Sequence, residues 1–358
     1  MKKISSMLKL LSLIALISLS TNLGAKTIDE KVYSYEKHKL KSNPNVKLNK
    51  LELKEKKNIV GKWNSYKYNL DVVYNGKALK TYDLIFSNGK MVSSTVAVFK
   101  NSTNIDEDVY TYENGRLKAN PNITLKSIKL IFKKDLGDGW NGYVYSISLI
   151  HKEKNITTND TIFSNGKIVS SDLRLLNGLD LKRKMHPTLD ERYYKQSHLI
   201  AGNKNAKHKL VIFSDPLCPM CIEDTPRIIK DVQENPKELS LYYVAFPLDM
   251  HPTAKTLSKA AMIAHEQGIK NIDYKVYNAG FDFFFDAYKN KDNQKSLDAF
   301  NKVIGTNITM KQINNKNIDK KLKYDMKLAD DAFINGTPTL FLDGEIDLIR
   351  SSYKKFIK

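Results

Sequence analysis

Two textures of hydrophobic patterning divide the chain. In the first half, apolar positions fall in short runs suited to strands. Val46, Leu48, Leu51 and Leu53 nearly alternate with lysine and asparagine, Tyr66 to Tyr74 is aromatic and β-branched, and Leu84-Ile85-Phe86 meets Met91-Val92 across Ser87-Asn88-Gly89-Lys90. Alternation with a period of two lets a strand bury one face, and Asn-Gly between apolar runs signals a hairpin because both central residues of a type I′ turn need positive φ. The spacing predicts an antiparallel sheet of about four strands, with Tyr33 to Leu40 a short helix packed on it.

The pattern then occurs again. Residues 28 to 181 repeat at an offset of 77 without a gap: Ile28-Asp29-Glu30 returns as Ile105-Asp106-Glu107, Trp63-Asn64 as Trp140-Asn141, and Phe86-Ser87-Asn88-Gly89-Lys90 as Phe163-Ser164-Asn165-Gly166-Lys167. Two copies are too few for a solenoid, so they read as tandem modules, 28–104 and 105–181. A tryptophan at the same place in both copies is read as core. His38 and His151 are not equivalent between copies, which argues against a shared catalytic or metal role. The acceptor pattern Asn155-Ile156-Thr157 is read as a chance occurrence.

From Lys182 the texture changes. A polar stretch, 182–208, reads as a linker with Leu189 to Ile200 helical. After it come a strand over Leu210 to Phe213, a helix from Cys221 to about Val232, a strand over Leu239 to Phe246, a mostly helical insertion at about 253–334, a strand over Thr339 to Leu342, a short apolar run to Ile349 and a helical tail. Phe281, Phe283, Phe284 and Phe285 are read as core of the insertion. The expected class is mixed α+β and α/β, multidomain, with the chemistry in 209–358.

Composition narrows the partners. Net charge is +19, but only 6 of the 58 basic residues are arginine and the lysines are scattered. Nucleic-acid recognition leans on bidentate arginine and clustered basic faces, so nucleic acid is excluded as a partner. Lys2 and Lys3, an apolar stretch from Met7 to Leu19 and small Gly24-Ala25 have the layout of a secretory signal, residues 1–25, and imply export.

Export gives the cysteines their meaning. There are 2 in the chain, Cys218 and Cys221, in Cys218-Pro219-Met220-Cys221. A disulfide across so short a loop constrains little, about 2 kcal/mol on the chain-entropy argument, so redox work is the better reading. Cys218 is expected at a helix N-terminus, where free N–H groups and the macrodipole stabilise a thiolate, as the exposed nucleophile. Pro219 suits the first turn, Cys221 faces inward to resolve a mixed disulfide, and Pro226 sits in the helix without ending it.

A second landmark is Asn335-Gly336-Thr337-Pro338-Thr339. Phe213-Ser214-Asp215-Pro216-Leu217-Cys218-Pro219-Met220-Cys221 together with Gly336-Thr337-Pro338 resembles the bacterial periplasmic disulfide isomerases of the DsbC/DsbG type, over roughly residues 185 to 358. The resemblance implies a thioredoxin-like fold with a helical insertion, a cis Pro338 opposite the CxxC, and a Thr337 that tunes reactivity. The N-terminal modules resemble that family's small cystatin-like dimerisation domain more faintly, and this chain has two where one is usual. Met220 replaces the more familiar aromatic or histidine, so no redox potential carries over.

The resemblance implies a periplasmic thiol:disulfide isomerase or reductase acting on unfolded or misoxidised exported proteins, with a redox-active disulfide and no other cofactor. Its redox partner would be a DsbD- or CcdA-like membrane reductant. The alternative is a DsbA-like oxidase served by a DsbB-like oxidant. A client-binding chaperone and a metal-delivery protein are the remoter readings. Zinc wants about four ligands and one CxxC supplies two, Ile222 stands where haem attachment needs histidine, and only His251 with Met250 and the thiols could be assembled into a copper site. The two modules either pair within one chain, giving a monomer, or dimerise between chains; both stay open, with the homodimer preferred.

Overall fold

A computed structural model describes residues 26–99, 103–280, 289 and 291–357. The leader read at 1–25 and the phenylalanines Phe281, Phe283, Phe284 and Phe285 lie outside the described residues. Among the described residues no helix is long and apolar enough to cross a membrane. The chain divides into two compact units, Met1–Met185 and His186–Lys358.

Each repeat in the first unit is a helix on a curled sheet. α1 (Ile28–Lys41) starts from a capping box in which Thr27 accepts from the Glu30 N–H and the Glu30 carboxylate accepts from the Thr27 N–H, so the helix is longer than the apolar spacing implied. It packs Val32 onto Leu51, Tyr66, Tyr68, Leu70, Val72 and Ile85 of β1 (Val46–Val60), β2 (Trp63–Tyr74) and β3 (Lys77–Ser87). The second copy places α2 (Ile105–Lys118) on β6 (Ile123–Gly137), β7 (Trp140–His151) and β8 (Lys154–Ser164) in the same way. The side-chain links also repeat. Tyr66 donates to Asp29 while Lys56 pairs with it, and Tyr143 donates to Asp106 while Lys133 pairs with it.

The hairpin forms where the pattern places it, but with a different turn. Between β3 and β4 (Met91–Ser93) Gly89 has φ +86° but Asn88 does not take positive φ; the Asn88 carboxamide oxygen instead accepts from the N–H groups of Lys90 and Met91, giving a three-residue loop. The two-residue turn with both φ positive is Asn75-Gly76, at +47° and +80°, closing β2 onto β3. In the second copy the same turn falls on Lys152 and Glu153, at +46° and +63°, so long paired strands hold two non-glycine residues in a conformation that glycine adopts more easily.

What joins the copies is an exchange of strands. β5 (Ala97–Val98) leaves the first copy to pair with β9 (Ile168–Ser170) of the second, and β10 (Arg174–Leu175) returns to pair with β4. The sheet orders are β1-β2-β3-β4-β10 and β5-β9-β8-β7-β6. Phe99 packs on the second copy's core and Leu176 on the first's. Trp63 and Trp140 are both buried, as read from the repeat, and they meet each other with ring centroids 5.8 Å apart. Ser93 and Ser170, also buried, hydrogen-bond across the copies at 2.9 Å. The tandem modules are therefore two halves of one paired body.

The second unit begins earlier than expected. Residues 186 to 208 are no linker: His186 Nδ1 lies 2.9 Å from the Ala332 carbonyl, Leu189 and Tyr193 are buried in the core, and the segment read as helix is two short 3₁₀ turns followed by an edge strand, β11 (Leu199–Gly202). The sheet runs β11-β13-β12-β14-β15, with β12 (His208–Ser214) and β13 (Leu239–Ala245) parallel, and β14 (Thr339–Leu342) antiparallel to β12 and to the short β15 (Glu345–Ile346). Alternation along β12 sends Leu210 and Ile212 towards α3 (Pro219–Glu234) and Val211 and Phe213 towards the C-terminal end of α8 (Lys316–Asp331). The insertion contains α4 (Ala254–Glu266), α5 (Ile272–Asn278), α6 (Asn293–Ile304) and α7 (Met310–Ile313), which share a core with Leu217. The expected helical tail is a 3₁₀ turn, Ser352–Phe356.

Candidate active site

β12 runs straight into the turn Asp215-Pro216-Leu217-Cys218, and that turn is knotted by one buried carboxylate. Asp215 Oδ1 accepts from the Leu217 N–H at 2.7 Å, Oδ2 accepts from the Leu248 N–H at 2.7 Å and pairs with His251 Nδ1 at 2.8 Å, and its carbonyl accepts from the Cys218 N–H at 3.1 Å. The carboxylate thus pins the turn to the loop after β13. His251, read as a possible copper ligand, is committed to Asp215, and no cluster of metal-ligating side chains occurs among the described residues. Met250 is 72% exposed.

Cys218 caps α3 with extended backbone, φ −75° and ψ 120°, and Pro219 takes the first helical position. Both cysteines are free thiols. Cys221 is fully buried, as the inward reading required, but Cys218 is only 6% exposed, which corrects the expectation of an open nucleophile. The Thr337-Pro338 segment covers it: that peptide bond is cis, and the Cys218 thiol donates to the Thr337 carbonyl at 3.4 Å. Pro219 and Met220 stay at the surface, and Pro226 lies inside α3 without ending it.

The electrostatics split the two sulfurs. A hydrogen bond from the Cys221 thiol is the largest influence on Cys218; burial opposes it, while the Thr337 hydroxyl and the N–H groups of Cys221 and Met220 reinforce it, and the thiol is lowered to about 5. The Thr337 hydroxyl has no other partner among the described residues, so its proton is available to the charged sulfur. Burial and then the neighbouring Cys218 push the Cys221 thiol far above the ordinary range, opposed by the Ser214 hydroxyl and the Asp215 backbone. At neutral pH one sulfur is a thiolate and the other keeps its proton. A thiolate beside a disulfide can displace one of its sulfurs, and the protonated neighbour stays quiet until a proton acceptor is engaged.

Three residues of the site had no role in the sequence reading. Ser214 hydrogen-bonds to Cys221, Tyr277 donates to the Ser214 hydroxyl at 2.8 Å, and the Tyr243 hydroxyl lies 2.8 Å from that of Tyr277. Ser214 stood in plain view four residues before Cys218, whereas Tyr243 and Tyr277 carry no local signal.

Residues 195–358 match the family described as Thioredoxin. No curated protein matches the chain. Among solved structures, a periplasmic thioredoxin-like protein from Salmonella enterica serovar Typhimurium is 18% identical over 44% of this chain and 84% of its own, with a TM-score of 0.36. Proteus mirabilis ScsC in a transitional conformation is 18% identical over 46% of this chain and 72% of its own, TM-score 0.36. Pseudomonas aeruginosa DsbA2 is 22% identical over 42% and 84%, TM-score 0.30. With strand, CxxC at a helix start, parallel strand and antiparallel hairpin in one sheet, the part of the chain from residue 195 to 358 is a thioredoxin-like domain.

Proposed function

We propose that the chain is a thiol:disulfide oxidoreductase of the periplasm that acts on disulfides of exported proteins, working chiefly as an isomerase or reductase. The observation that supports it is the division of labour between a stabilised Cys218 thiolate and a buried, protonated Cys221. Cys218 attacks one sulfur of a client disulfide, that S–S bond breaks, the leaving sulfur departs as a thiolate and a mixed disulfide forms. If a second client thiolate then attacks the client sulfur, Cys218 is released unchanged and the client has been isomerised with no net electron transfer. If Cys221 attacks instead, the client leaves as a dithiol, the Cys218-Cys221 disulfide forms, and two electrons must be restored by a membrane reductant of the DsbD or CcdA kind.

The same thiolate favours a second reading. Stabilising the reduced form makes the disulfide form a stronger oxidant, so with a DsbB-like oxidant in place of the reductant the protein would donate disulfides. Trapping the in-cell redox state of Cys218 and Cys221 with a thiol-alkylating reagent separates the two: a reduced pair supports isomerase or reductase action, and an oxidised pair overturns it in favour of the oxidase.

The exchanged strands support a monomer. β5 and β10 already occupy the sheet edges next to β9 and β4, and Trp63 and Trp140 bury each other. A single module would offer that face to a second copy; here the chain supplies both halves. Light scattering on the mature protein gives a monomer mass, and a dimer mass restores the homodimer.

A further inference from the structure

Cys221 poses a problem of proton transfer. It is fully buried, its thiol is held protonated, and it must lose that proton to attack the Cys218 sulfur of a mixed disulfide. At that moment the mouth of the site is filled by the client and by Thr337-Pro338. Among the described residues, the titratable groups around Cys221 are Cys218 and the Asp215 turn at the start of α3, Tyr243 on β13 and Tyr277 on α5; His251 and then Asp273 stand one residue further out. Asp215 is engaged by two N–H donors and His251. It is a tie for the loop rather than a base.

The other side of Cys221 is a row of hydroxyls. Ser214 bonds the thiol, Tyr277 is 2.8 Å from Ser214, and Tyr243 is 2.8 Å from Tyr277. Three buried hydroxyls in series are costly to desolvate unless each is satisfied by the next, and such chains polarise one another. Tyr243 ends the row, and it also lines a cavity of about 610 Å³ shared with His265 and Asp273. Exposed Lys195, Gln196 and Lys320 form part of the cavity wall, so it reaches the surface away from the CxxC, and it has room and polar partners for water.

We propose that Ser214, Tyr277 and Tyr243 are the proton relay of the resolving cysteine, carrying the Cys221 proton through the back of the domain to the cavity walled by His265 and Asp273. In the step, Cys221 passes its proton to Ser214, Ser214 passes its own to Tyr277, Tyr277 to Tyr243, and Tyr243 to water in the cavity. Cys221 as thiolate then attacks the Cys218 sulfur, the bond between Cys218 and the client sulfur breaks, and the client leaves as a thiolate. No hydroxyl is left charged. Each one ends pointing towards the sulfur, which is also the direction in which Tyr277 donates to Ser214 at rest, so the hydroxyls rotate away from Cys221 before the proton moves. Tyr243 and Tyr277 are relay residues that act through Ser214 and touch no substrate.

The inference rests on the oxidoreductase reading, and one experiment keeps the two apart. The reduced protein is mixed with excess 5,5′-dithiobis(2-nitrobenzoate) in a stopped-flow instrument, and release of the yellow thiolate is followed from pH 5 to 9. The first equivalent reports attack by Cys218 and the second reports resolution by Cys221. In Tyr277→Phe and Tyr243→Phe the first release should keep its rate within about two-fold. The second should slow by about 10²-fold at pH 7, the scale of a lost proton-transfer group, and should rise in proportion to hydroxide where the unaltered protein is nearly flat. An unchanged second phase in both variants overturns the relay, as does equal slowing of both phases. Should Tyr277→Phe melt well below the parent, Tyr243→Phe at the far end of the row carries the test. A parent protein that releases neither equivalent refutes the oxidoreductase reading instead.

Discussion

Replacing Cys221 with alanine isolates the electrostatics of Cys218, because the chain has no third thiol. The Cys221 thiol is the largest of the influences that lower Cys218, ahead of the Thr337 hydroxyl and the N–H groups of Cys221 and Met220. Hydrogen bonds to charged groups contribute about 1.5–3 kcal/mol, and a thiol is a weak donor, so the low end applies. One pKa unit corresponds to about 1.4 kcal/mol, so losing this bond moves Cys218 up by about one unit. The remaining donors still hold it below an ordinary thiol. Absorbance of the thiolate at 240 nm, titrated in Cys221→Ala, should therefore show a single transition near pH 6, against about 5 in the parent. A midpoint that does not move refutes the assignment of Cys221 as donor. A midpoint at the ordinary thiol value, about 8.5, refutes the contribution of the helix start and Thr337. The linkage has a definite sign. A thiol lowered on folding adds stability that is complete above its unfolded value, about 8.5, and that is lost as pH falls through about 5. Reduced parent protein should thus gain up to about 1.4 kcal/mol per pH unit over Cys218→Ala within that window, read by urea unfolding.

Thr337→Val removes the hydroxyl and keeps the shape; the Cys218 transition should rise by up to about one unit, and no change in iodoacetamide reactivity against pH would refute the contact. Trp63→Ala should cost the N-terminal unit about 3–5 kcal/mol, and Trp140→Ala about the same, because each ring is buried against the other; thermal melts that differ widely between the two would refute the equivalence. Gly202→Ala should destabilise the thioredoxin-like unit by more than about 3 kcal/mol, since φ is +79° and a Cβ would meet the Leu239 carbonyl at 2.2 Å, a clash no rotamer relieves; a urea midpoint equal to the parent's would refute it.

The repeat, the CxxC and the order of strands and helices after residue 208 are properties of the sequence alone. They rest on local periodicity, on copied residues and on a helix start that Pro219 marks, all of which survive in one dimension. Several features needed the third. The hairpin at Asn88-Gly89 forms as the pattern predicts, but its turn type was not legible, because Asn75-Gly76 carries the same dipeptide and only the strand register decides which one takes two positive φ values. Residues 186 to 208 read as a linker because Leu189 and Tyr193 are sparse among polar neighbours; they are buried because β13, β14 and α8 form a pocket for them. The strand exchange was invisible, since β5 and β10 are two residues each and their partners lie 70 to 84 positions away. The hydroxyl row is of the same kind: Ser214, Tyr243 and Tyr277 come from two strands and a helix of the insertion, and ordinary tyrosines become chemistry only when tertiary packing buries them in line behind Cys221. Identity of residues set which sulfur chemistry is possible, and packing decided which sulfur is charged and where the other can send its proton.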